Sequence, residues 1–427
     1  MQRRVVITGI GPATAIGIGK KEFFNNIMDK KTNISKIPDC YEKNYSFKSK
    51  YFVPKPVFSL TDYGIHGSLE AVMEEAARIS VLCTKLALID AGFEVESREK
   101  YFQTNLPENC TVMVGIGMSS LQTALESYTA HTAVSDKGNN HHGNNRMLRY
   151  NRMVIPMLMT NSASAWISIL FGIKGFNYTI NAACSSGSLA IGEAYRNILA
   201  GRCDAAIAGG VEALTEKTGA IMRGFDMLTT LTKSADGRPL PFSKRRSGFL
   251  FNEGAGCILI LEELQNAIGR GADIYGELIG YECSSDAYSI VQMDPGGEQI
   301  LSLFKKLCDG LKIDYLNAHG TATVSNDDIE ADIIQKYFGD KDLQPFINST
   351  KGIIGHSIGA SGAIEAAVTA MSIKDSAIHG NLTVEPMENL NLPLDSFHTD
   401  INHAVSCSYG FGGHNAMLLF KRYNENE

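Results

Sequence analysis

The stretch FNYTINAACSSGSLAIGEAYRNILA, residues 176–200, contains two successive sequence periods. β-Prone residues at 176–180 lead into small residues around Cys184, and apolar residues then recur at helical spacing from Ala190 to Ile198. We therefore predict a strand, a tight turn and a helix, with Cys184 in the turn. Because the N–H groups at a helix start favour a thiolate, we expect a lowered pKa for the Cys184 thiol. On this segment alone, a small buried cysteine packed beside its helix is an equally good interpretation.

Composition and charge exclude several classes of protein. A hydrophobic content of 44% fits a globular chain, and 427 residues suffice for two core-forming units. The formal net charge of -7 argues against nucleic acid as the main partner and against attraction to an anionic membrane. The nine cysteines include no CxxC pair, so neither a disulfide framework nor a zinc site is expected. These features favour a reducing, cytoplasmic location.

No segment is predicted to enter or cross a membrane. The N-terminal sequence MQRRVVITGIG has too short an apolar run for a signal peptide. The window from Met153 to Ile173 is strongly apolar, but Pro156 and several polar residues interrupt it. We predict that this window forms a buried helix rather than a membrane span.

Strand and helix patterns alternate along the chain and divide it into two halves. A buried strand at Arg4–Thr8 leads into a predicted glycine turn, GIGPAT, whose Thr14 stands where a dinucleotide-binding motif needs glycine. A charged helix at Glu262–Arg270 forms a joint, so we place an N-terminal half at residues 1–262 and a C-terminal half at 263–427. The alternation predicts mostly parallel sheets covered by helices.

Several residues that are able to carry chemistry follow predicted strands. Cys184 is one, His319 in YLNAHGTAT and His356 in NSTKGIIGHSIGASG are two others, and Lys351 precedes His356 by five residues. Because open α/β sheets bind ligands beyond the carboxyl ends of their strands, we expect one crevice to hold Cys184, His319 and His356. A lone histidine beside glycines more often stabilises a loop. Together with the glycine loop SYGFGGHN, however, the set favours carbon–carbon bond formation through a thioester.

Two other segments have distinct compositions. The helix predicted at Ala360–Ile373 is apolar nearly all round, with Glu365 as its only charge, so we expect a central, buried position. The segment Asp136–Tyr150 is polar and rich in turn residues, which predicts a loop. Its adjacent His141 and His142 would not share a helix face, so a metal site there is a weak hypothesis.

Four separated motifs carry a resemblance to a known family. NAACSSG, NAHGTATVSNDDIEAD, STKGIIGHSIGASGAIEA and SYGFGGHN occur in this order. They resemble the motifs of the β-ketoacyl-acyl-carrier-protein synthases, the elongating ketosynthases of the thiolase superfamily, and the resemblance covers nearly the whole chain. It implies a thiolase-like α/β fold, with two related halves packed as five αβαβα layers, and usually a dimer.

The resemblance implies a role for each matching residue of the reaction centre. Cys184 matches the nucleophile that receives the acyl chain, which suits a cysteine because its thioester keeps the acyl carbon electrophilic. His319 and His356 match the pair that assists decarboxylation of malonyl-carrier protein, and Lys351 matches the family lysine near that pair. Phe411 matches the gating residue, whose backbone N–H would form the oxyanion hole together with that of Cys184.

Two acidic residues of the His319 motif are implied as supporting residues. Glu330 matches the acid usually paired with Lys351, and Asp327 lies in the same motif. Neutral imidazoles can donate hydrogen bonds to a thioester oxygen, and the charge of Lys351 would help to keep them neutral by repulsion.

The implied reaction is a decarboxylative Claisen condensation of a Cys184-bound acyl chain with malonyl-acyl carrier protein, without a metal or nucleotide cofactor. The loop Thr323–Asp327, TVSND, resembles that of type II polyketide ketosynthases, which slightly favours polyketide or polyene synthesis over fatty acid elongation. His414 and Ser289 replace residues that are frequent in the family. The alternatives are a non-catalytic partner subunit of a heterodimer, a biosynthetic thiolase with Cys407 as a second cysteine, and a cysteine hydrolase.

Acyl carrier protein is the implied partner, and the chain is expected to form a homodimer or a heterodimer with a related subunit. We expect neither nucleic acid nor a membrane as a partner. The loop at 233–248 carries five basic residues that are candidates for docking an acidic carrier protein: Lys233, Arg238, Lys244, Arg245 and Arg246. The other interpretation is that these residues are the charges of a solvated loop.

Overall fold

The computed structural model describes residues 3–118, 120–135 and 151–425. The segment Asp136–Tyr150, predicted to be a loop that contains His141 and His142, lies outside the described residues.

Strands and helices alternate through both halves of the chain. The strands are β1 Val5–Thr14, β2 Gly17–Ile18, β3 Ser35–Lys36, β4 Tyr51–Phe52, β5 Val95–Ser97, β6 Phe102–Thr104, β7 Cys110–Gly115, β8 Asn177–Ile180, β9 Ala205–Ala213, β10 Gly254–Glu263, β11 Gly276–Ser285, β12 Tyr315–Asn317, β13 Phe346–Asn348, β14 Ala377–Ile378, β15 Phe397–His398, β16 His403–Gly410 and β17 His414–Lys421. The α-helices are α1 Lys20–Met28, α2 Gly67–Glu70, α3 Glu75–Asp90, α4 Leu121–Ser135, α5 Val154–Leu158, α6 Ser162–Phe171, α7 Ser186–Leu199, α8 Ala220–Met227, α9 Leu264–Gly269, α10 Glu298–Cys308, α11 Val324–Phe338, α12 Lys351–Ile354 and α13 Ser361–Asp375. Short 3-10 helices lie at Asp39–Lys43, Leu60–Tyr63, Ala183–Ser185, Lys341–Leu343 and Ile358–Ala360.

One continuous sheet extends through both halves. Its strand order is β13-β12-β16-β17-β11-β1-β10-β9-β7-β8, and β2 is attached to β1. One set of five strands is β1, β7, β8, β9 and β10, and the other is β11, β12, β13, β16 and β17. Each set has the order first, fifth, fourth, second, third, so the two halves share one topology. β10 ends at Glu263, and the boundary that we placed between residues 262 and 263 stays a prediction.

Helices separate and cover the two sets of strands. Alternate residues of β10 face opposite sides: Cys257 and Leu259 pack in the cluster of α7 and α13, whereas Ile258 and Ile260 pack against α3 and α6. In the C-terminal half, α10 and α11 cover the outer face. The layers are therefore α3 with α6, the first strand set, α7 with α13, the second strand set, and α10 with α11. This is the predicted five-layer α/β fold.

The central position predicted for the apolar helix at Ala360–Ile373 is confirmed. Every residue of α13 from Ser361 to Ile373 is buried. Helix α13 packs beside α7 between the two strand sets, and its single internal charge, Glu365, is buried with it. A buried carboxylate needs a partner, which the site described below provides.

The predicted glycine turn after the first strand is wrong. Strand β1 continues through Gly9 and Gly11, and α3 lies directly against it. A Cβ atom at position 11 would stand 2.0 Å from the carbonyl oxygen of Cys83. These glycines therefore permit close packing of a helix on a strand rather than a turn.

The prediction of mostly parallel sheets is also wrong. β7 is parallel to β8 and β9, and β12 is parallel to β13 and β16. The pairings of β1 with β10 and β11, of β10 with β9, and of β17 with β11 and β16 are antiparallel. The link between β16 and β17 is too short for the crossover that parallel neighbours require.

The apolar window at Met153–Ile173 is not one buried helix. It forms two helices, α5 and α6, which are separated by residues 159–161, and Ile155 and Ile169 are exposed. The polar residues within the window end the first helix early. Within residues 3–118, 120–135 and 151–425, none of the helices combines the length and apolar character that a membrane crossing requires.

Candidate active site

Cys184 lies in the turn between β8 and α7, as the sequence pattern predicts. Strand β8 ends at Ile180, a short 3-10 helix spans Ala183–Ser185, and α7 starts at Ser186. The thiol is 5% exposed and belongs to a cluster of apolar side chains. The turn therefore holds the Cys184 thiol in the wall of a pocket rather than at the protein surface.

His356 contacts the cysteine directly. Its Nε2 atom lies 3.1 Å from Sγ of Cys184, and its Nδ1 atom lies 2.8 Å from Oγ of Ser361. A neutral imidazole that carries its proton on Nδ1 donates to Ser361 and leaves Nε2 free to accept the thiol proton. His356 is thus placed to act as the base for Cys184.

His319 lies beside His356 in the same site. Its ring centre is 5.6 Å from that of His356, and the two rings are nearly perpendicular. Nζ of Lys351 lies 3.2 Å from Nδ1 of His319. Because an ammonium group can only donate, Nδ1 accepts and the ring proton is on Nε2. This arrangement leaves an N–H of His319 available for a substrate oxygen.

The ion-pair partner of Lys351 is Glu365, so the pairing implied for Glu330 is wrong. Lys351 and Glu365 are both buried and bonded to each other. Glu330 lies on α11 and Glu365 lies on α13. The salt bridge of Lys351 is formed with Glu365. Sequence reasoning treated Glu365 as a lone charge. The signal for its role was the charge itself, because a buried helix keeps a carboxylate only with a partner.

Glu330 and Asp327 support the segment that carries His319. The carboxylate of Glu330 accepts the backbone N–H groups of His319 and Gly320, each at 2.8 Å. Asp327 accepts those of Ala322 at 3.0 Å and Phe242 at 2.7 Å. The N-terminal part of α11 therefore fixes the backbone after β12, which sets the position of the imidazole.

The glycine loop between β16 and β17 lies over Cys184. The backbone N–H of Phe411 lies near the sulfur of Cys184, where it lowers the pKa of the thiol. A Cβ atom on Gly410 would stand 2.8 Å from the carbonyl oxygen of Ala182, so the loop packs against the cysteine turn at backbone distance. The gate and oxyanion hole implied for Phe411 stay predictions.

The reacting groups open into one cavity of about 410 Å³. The predicted crevice is confirmed, because Cys184, His319 and His356 all line it, together with Phe411. The remaining wall comes from the α8 region, the loop after β11 and the start of α11, with residues such as Phe225, Thr229, Met293, Thr321 and Thr323. Lys351 lies behind His319.

Burial sets the protonation states of the site. It raises the pKa of the Cys184 thiol to about 12, although the charge of Lys351 and the N–H of Phe411 oppose this effect. The lowered pKa that we expected for Cys184 is therefore wrong, because loss of hydration outweighs the helix start. Burial also lowers the pKa of His319 and of His356 well below the ordinary value, and Lys351 lowers both further. Both imidazoles are neutral at pH 7, as predicted.

Most of the predicted docking residues are bound to acids of the same chain. Lys244 pairs with Glu388, Arg245 with Glu385, Arg246 with Asp328, and Arg238 with Asp236. Lys233 differs, because it is exposed, lines the cavity and has no ion pair within the described part of the chain. Docking by these residues stays a prediction.

No metal site is evident in the described ranges. Within them, no three histidine, cysteine or acidic side chains are grouped so that they could hold a metal ion.

Family models match both halves of the chain. The β-ketoacyl synthase N-terminal domain matches residues 2–267, and the β-ketoacyl synthase C-terminal domain matches residues 275–385. The chain belongs to the β-ketoacyl synthase family. It is an acyltransferase of the ketosynthase class, which agrees with the geometry around Cys184.

Relatives and solved structures extend this similarity over the whole ketosynthase. The 3-oxoacyl-acyl-carrier-protein synthase 2 of Staphylococcus aureus strain COL is 34% identical over 99% of both chains, and that of Synechocystis sp. is also 34% identical over 99% of both. A β-ketoacyl synthase structure from Burkholderia phymatum has 28% identity and a TM-score of 0.83, over 99% of this chain and 100% of that one. A ketosynthase from a type II polyketide complex with its acyl-carrier protein has 25% identity and a TM-score of 0.84 over the same shares.

Proposed function

We propose that this ketosynthase catalyses the decarboxylative Claisen condensation of a Cys184-bound acyl chain with malonyl-acyl carrier protein. The products are β-ketoacyl-acyl carrier protein and carbon dioxide. The observation that carries the proposal is the 3.1 Å contact between Sγ of Cys184 and Nε2 of His356, inside the cavity that His319 also lines. A nucleophile, a base and a hydrogen-bond donor thus meet at one point.

In the first step, the sulfur of Cys184 attacks the carbonyl carbon of an acyl thioester on the carrier protein. The thiol proton passes to Nε2 of His356 and then to the sulfur of the departing pantetheine arm. The negative oxygen of the tetrahedral intermediate faces the N–H of Phe411, and a fixed donor of this kind contributes about 3 kcal/mol. The step leaves acyl-Cys184 and a free carrier thiol.

In the second step, malonyl-carrier protein occupies the cavity. Nε2–H of His319 donates to the malonyl thioester oxygen, and the bond to the carboxylate breaks with release of carbon dioxide. The electron pair of that bond forms an enolate, whose carbon attacks the carbonyl of acyl-Cys184. The carbon–sulfur bond then breaks, and the Cys184 thiolate takes a proton from solvent. A neutral imidazole suits this step because it donates without protonating the enolate oxygen fully.

We infer that acyl carrier protein delivers both acyl groups. The buried position of Cys184 requires a substrate on a thin, flexible arm, and the polar side chains of Thr321 and Thr323 line the cavity as donors and acceptors for such an arm. The names of the 34% identical relatives include an acyl-carrier protein, which supports the same partner.

We also infer a second ketosynthase-type subunit as a partner. Strand β8 is the last strand of the sheet, and its Tyr178 is exposed. An exposed edge strand readily pairs with another chain. Light scattering of the purified chain, alone and with a related subunit, distinguishes a homodimer from a heterodimer.

Within this reaction, we propose a role in type II polyketide or polyene synthesis. The segment Thr323–Asp327 supports this choice, since TVSND resembles the corresponding loop of polyketide ketosynthases. In this chain the segment forms the N-cap and first turn of α11 rather than a loop, and its residues 323–326 line the cavity. Repeated condensation without reduction, in an assay with carrier protein and malonyl donor, is the expected result. A product that stops after one condensation until reductases are added would instead assign the chain to fatty acid elongation.

Intact-mass analysis tests the condensing reaction. Wild type and Cys184→Ala are each incubated with a medium-chain acyl-carrier protein and then with malonyl-carrier protein. We expect an acyl adduct on wild type only, which disappears as β-ketoacyl carrier forms. Absence of an adduct on folded wild type, with partner subunits supplied, would contradict the role of Cys184.

The thiolase alternative lacks its second cysteine. Cys407 is buried in the outer cluster of the C-terminal half and does not line the cavity. The alternative of a non-catalytic subunit is opposed by Cys184, His319 and His356, which are all present and in place.

A further inference from the structure

Glu212 is a fully buried carboxylate near the end of β9, and the steps above do not use it. Its Oε2 atom accepts the backbone N–H of Gly117 at 3.0 Å and that of Gly359 at 2.9 Å. Its Oε1 atom accepts the N–H of Met118 at 3.0 Å. One side chain thus connects the segment after β7 to the 3-10 helix that follows His356.

The hydrogen bond to Gly359 fixes a strained residue. The N–H of Gly359 belongs to the peptide group that follows Ile358, whose φ is 45°. Branched side chains rarely adopt this left-handed conformation, so surrounding contacts have to hold it. Ile358 lines the cavity together with Cys184 and His356. The carboxylate therefore controls the wall of the cavity beside the reacting pair.

The two segments meet at backbone distance around this carboxylate. A Cβ atom on Gly117 would stand 2.5 Å from Oε2 of Glu212 and 2.8 Å from Cγ2 of Ile358. A Cβ atom on Gly359 would stand 2.3 Å from the nitrogen of Gly117. Since both segments direct N–H groups at one point, they require an acceptor between them.

We propose that Glu212 is a positioning residue, which holds Ile358 and thereby the segment that carries His356 against Cys184. It does not touch the reacting atoms. The proposal rests on the proposed function only in that Cys184 and His356 are the reacting pair. Loss of the acceptor would release Ile358 toward an ordinary backbone conformation and move the imidazole away from the sulfur.

The variants Glu212→Ala and Glu212→Gln test the proposal. Alanine removes all three acceptor contacts. Glutamine keeps the length and one acceptor oxygen, but its NH₂ group opposes one of the N–H donors. Glu263→Gln is the matched control, because Glu263 is also a buried carboxylate that accepts two backbone N–H groups, at the start of α9.

Three measurements separate positioning from stability. The rate at which iodoacetamide alkylates Cys184, measured by peptide mass analysis, reports the contact between Cys184 and His356 without any carrier substrate. Amide hydrogen exchange measures how readily the backbone at 357–360 opens. Steady-state condensation separates kcat from KM for malonyl-carrier protein. We expect Glu212→Ala to slow alkylation and kcat on the order of 100-fold, the loss expected for a misplaced catalytic group, with KM unchanged.

The variants should also rank in a fixed order. Glu212→Gln should lose less activity than Glu212→Ala. Its backbone hydrogen exchange at 357–360 should be faster than in wild type, and it should unfold at the same temperature as Glu263→Gln. Normal alkylation in both Glu212 variants, or an equal loss in Glu263→Gln, would overturn the proposal. If Glu212→Ala does not fold, the alkylation rates of Cys184 in Glu212→Gln and Glu263→Gln are compared instead, and this comparison decides the proposal. If wild type forms no acyl adduct but its alkylation depends on Glu212, the proposed function fails while the positioning role stands.

Discussion

Lys351 and Glu365 form an ion pair that is closed to solvent, with side-chain exposures of 1% and 0%. Removing both charges from water is costly, and the pair is stable only because each charge compensates the other. Nζ of Lys351 also lies 3.2 Å from Nδ1 of His319. The pair therefore connects the stability of the core with the orientation of the His319 imidazole.

Substituting Glu365 with glutamine should destabilise the protein strongly. The variant leaves the charge of Lys351 buried without its counter-ion, which typically costs about 3–5 kcal/mol in the free energy of unfolding. Denaturant titration measures the loss. Asp273→Asn is the control, because Asp273 pairs with Lys374 at the exposed surface, where a pair contributes about 0–1 kcal/mol. Equal stability of the two variants would contradict the prediction.

The reactivity of Cys184 toward iodoacetamide should increase continuously with pH. Burial raises the pKa of its thiol to about 12, so the thiolate fraction keeps rising throughout the accessible range. Peptide mass analysis measures the alkylation rate, and the exposed Cys40 is the internal reference. A plateau with a midpoint below about pH 8, under the ordinary cysteine value, would show that Lys351 and the helix start outweigh burial.

His319 should make the folded protein less stable in acid. Its pKa is lowered in the folded state, so below about pH 6.5 the unfolded chain binds a proton that the folded chain does not. Stability therefore falls as the pH decreases through this range. We expect His319→Gln to lose less stability than wild type between about pH 7 and 5. Parallel pH profiles of unfolding for wild type and His319→Gln would refute the assignment.

Lys233→Glu should weaken productive binding of the carrier protein. Its ammonium group stands at the cavity without an ion pair within the described ranges, so it can meet an acidic partner. We expect KM for malonyl-carrier protein to rise about tenfold at low salt, with kcat unchanged, because a rim charge acts mainly on association. Lys244→Glu is the control, since Lys244 already pairs with Glu388. Equal effects of both variants would favour docking by the whole loop.

The main features of the site could be predicted from the sequence because each lies in a local pattern. Cys184, His319 and His356 follow short strands and precede small or glycine residues, and this pattern places them at one edge of a sheet. The partner of Lys351 could not be predicted in the same way. Glu365 is distant in sequence from the His319 motif, and only the packing of α13 between the strand sets brings it to the lysine.

The pKa of the Cys184 thiol and the ion pairs of the basic loop could not be predicted from the sequence, for a related reason. A helix start is visible in sequence, but the loss of hydration depends on how many segments cover the thiol. Likewise, five basic residues in one loop do not reveal that Arg246 is bound to Asp328 or Lys244 to Glu388. Local patterns thus predicted where groups lie, while burial and ion pairing required the tertiary fold.

The shared strand order of the two halves relates the positions of Cys184 and His356. Cys184 follows β8, the third strand of the first set, and His356 follows β13, the third strand of the second. Cys184 and His356 therefore each lie between the third strand and the inner helix of their own half, α7 for Cys184 and α13 for His356. Neither half contains both Cys184 and His356, so a fragment that holds one half alone lacks the pair that the proposed reaction requires.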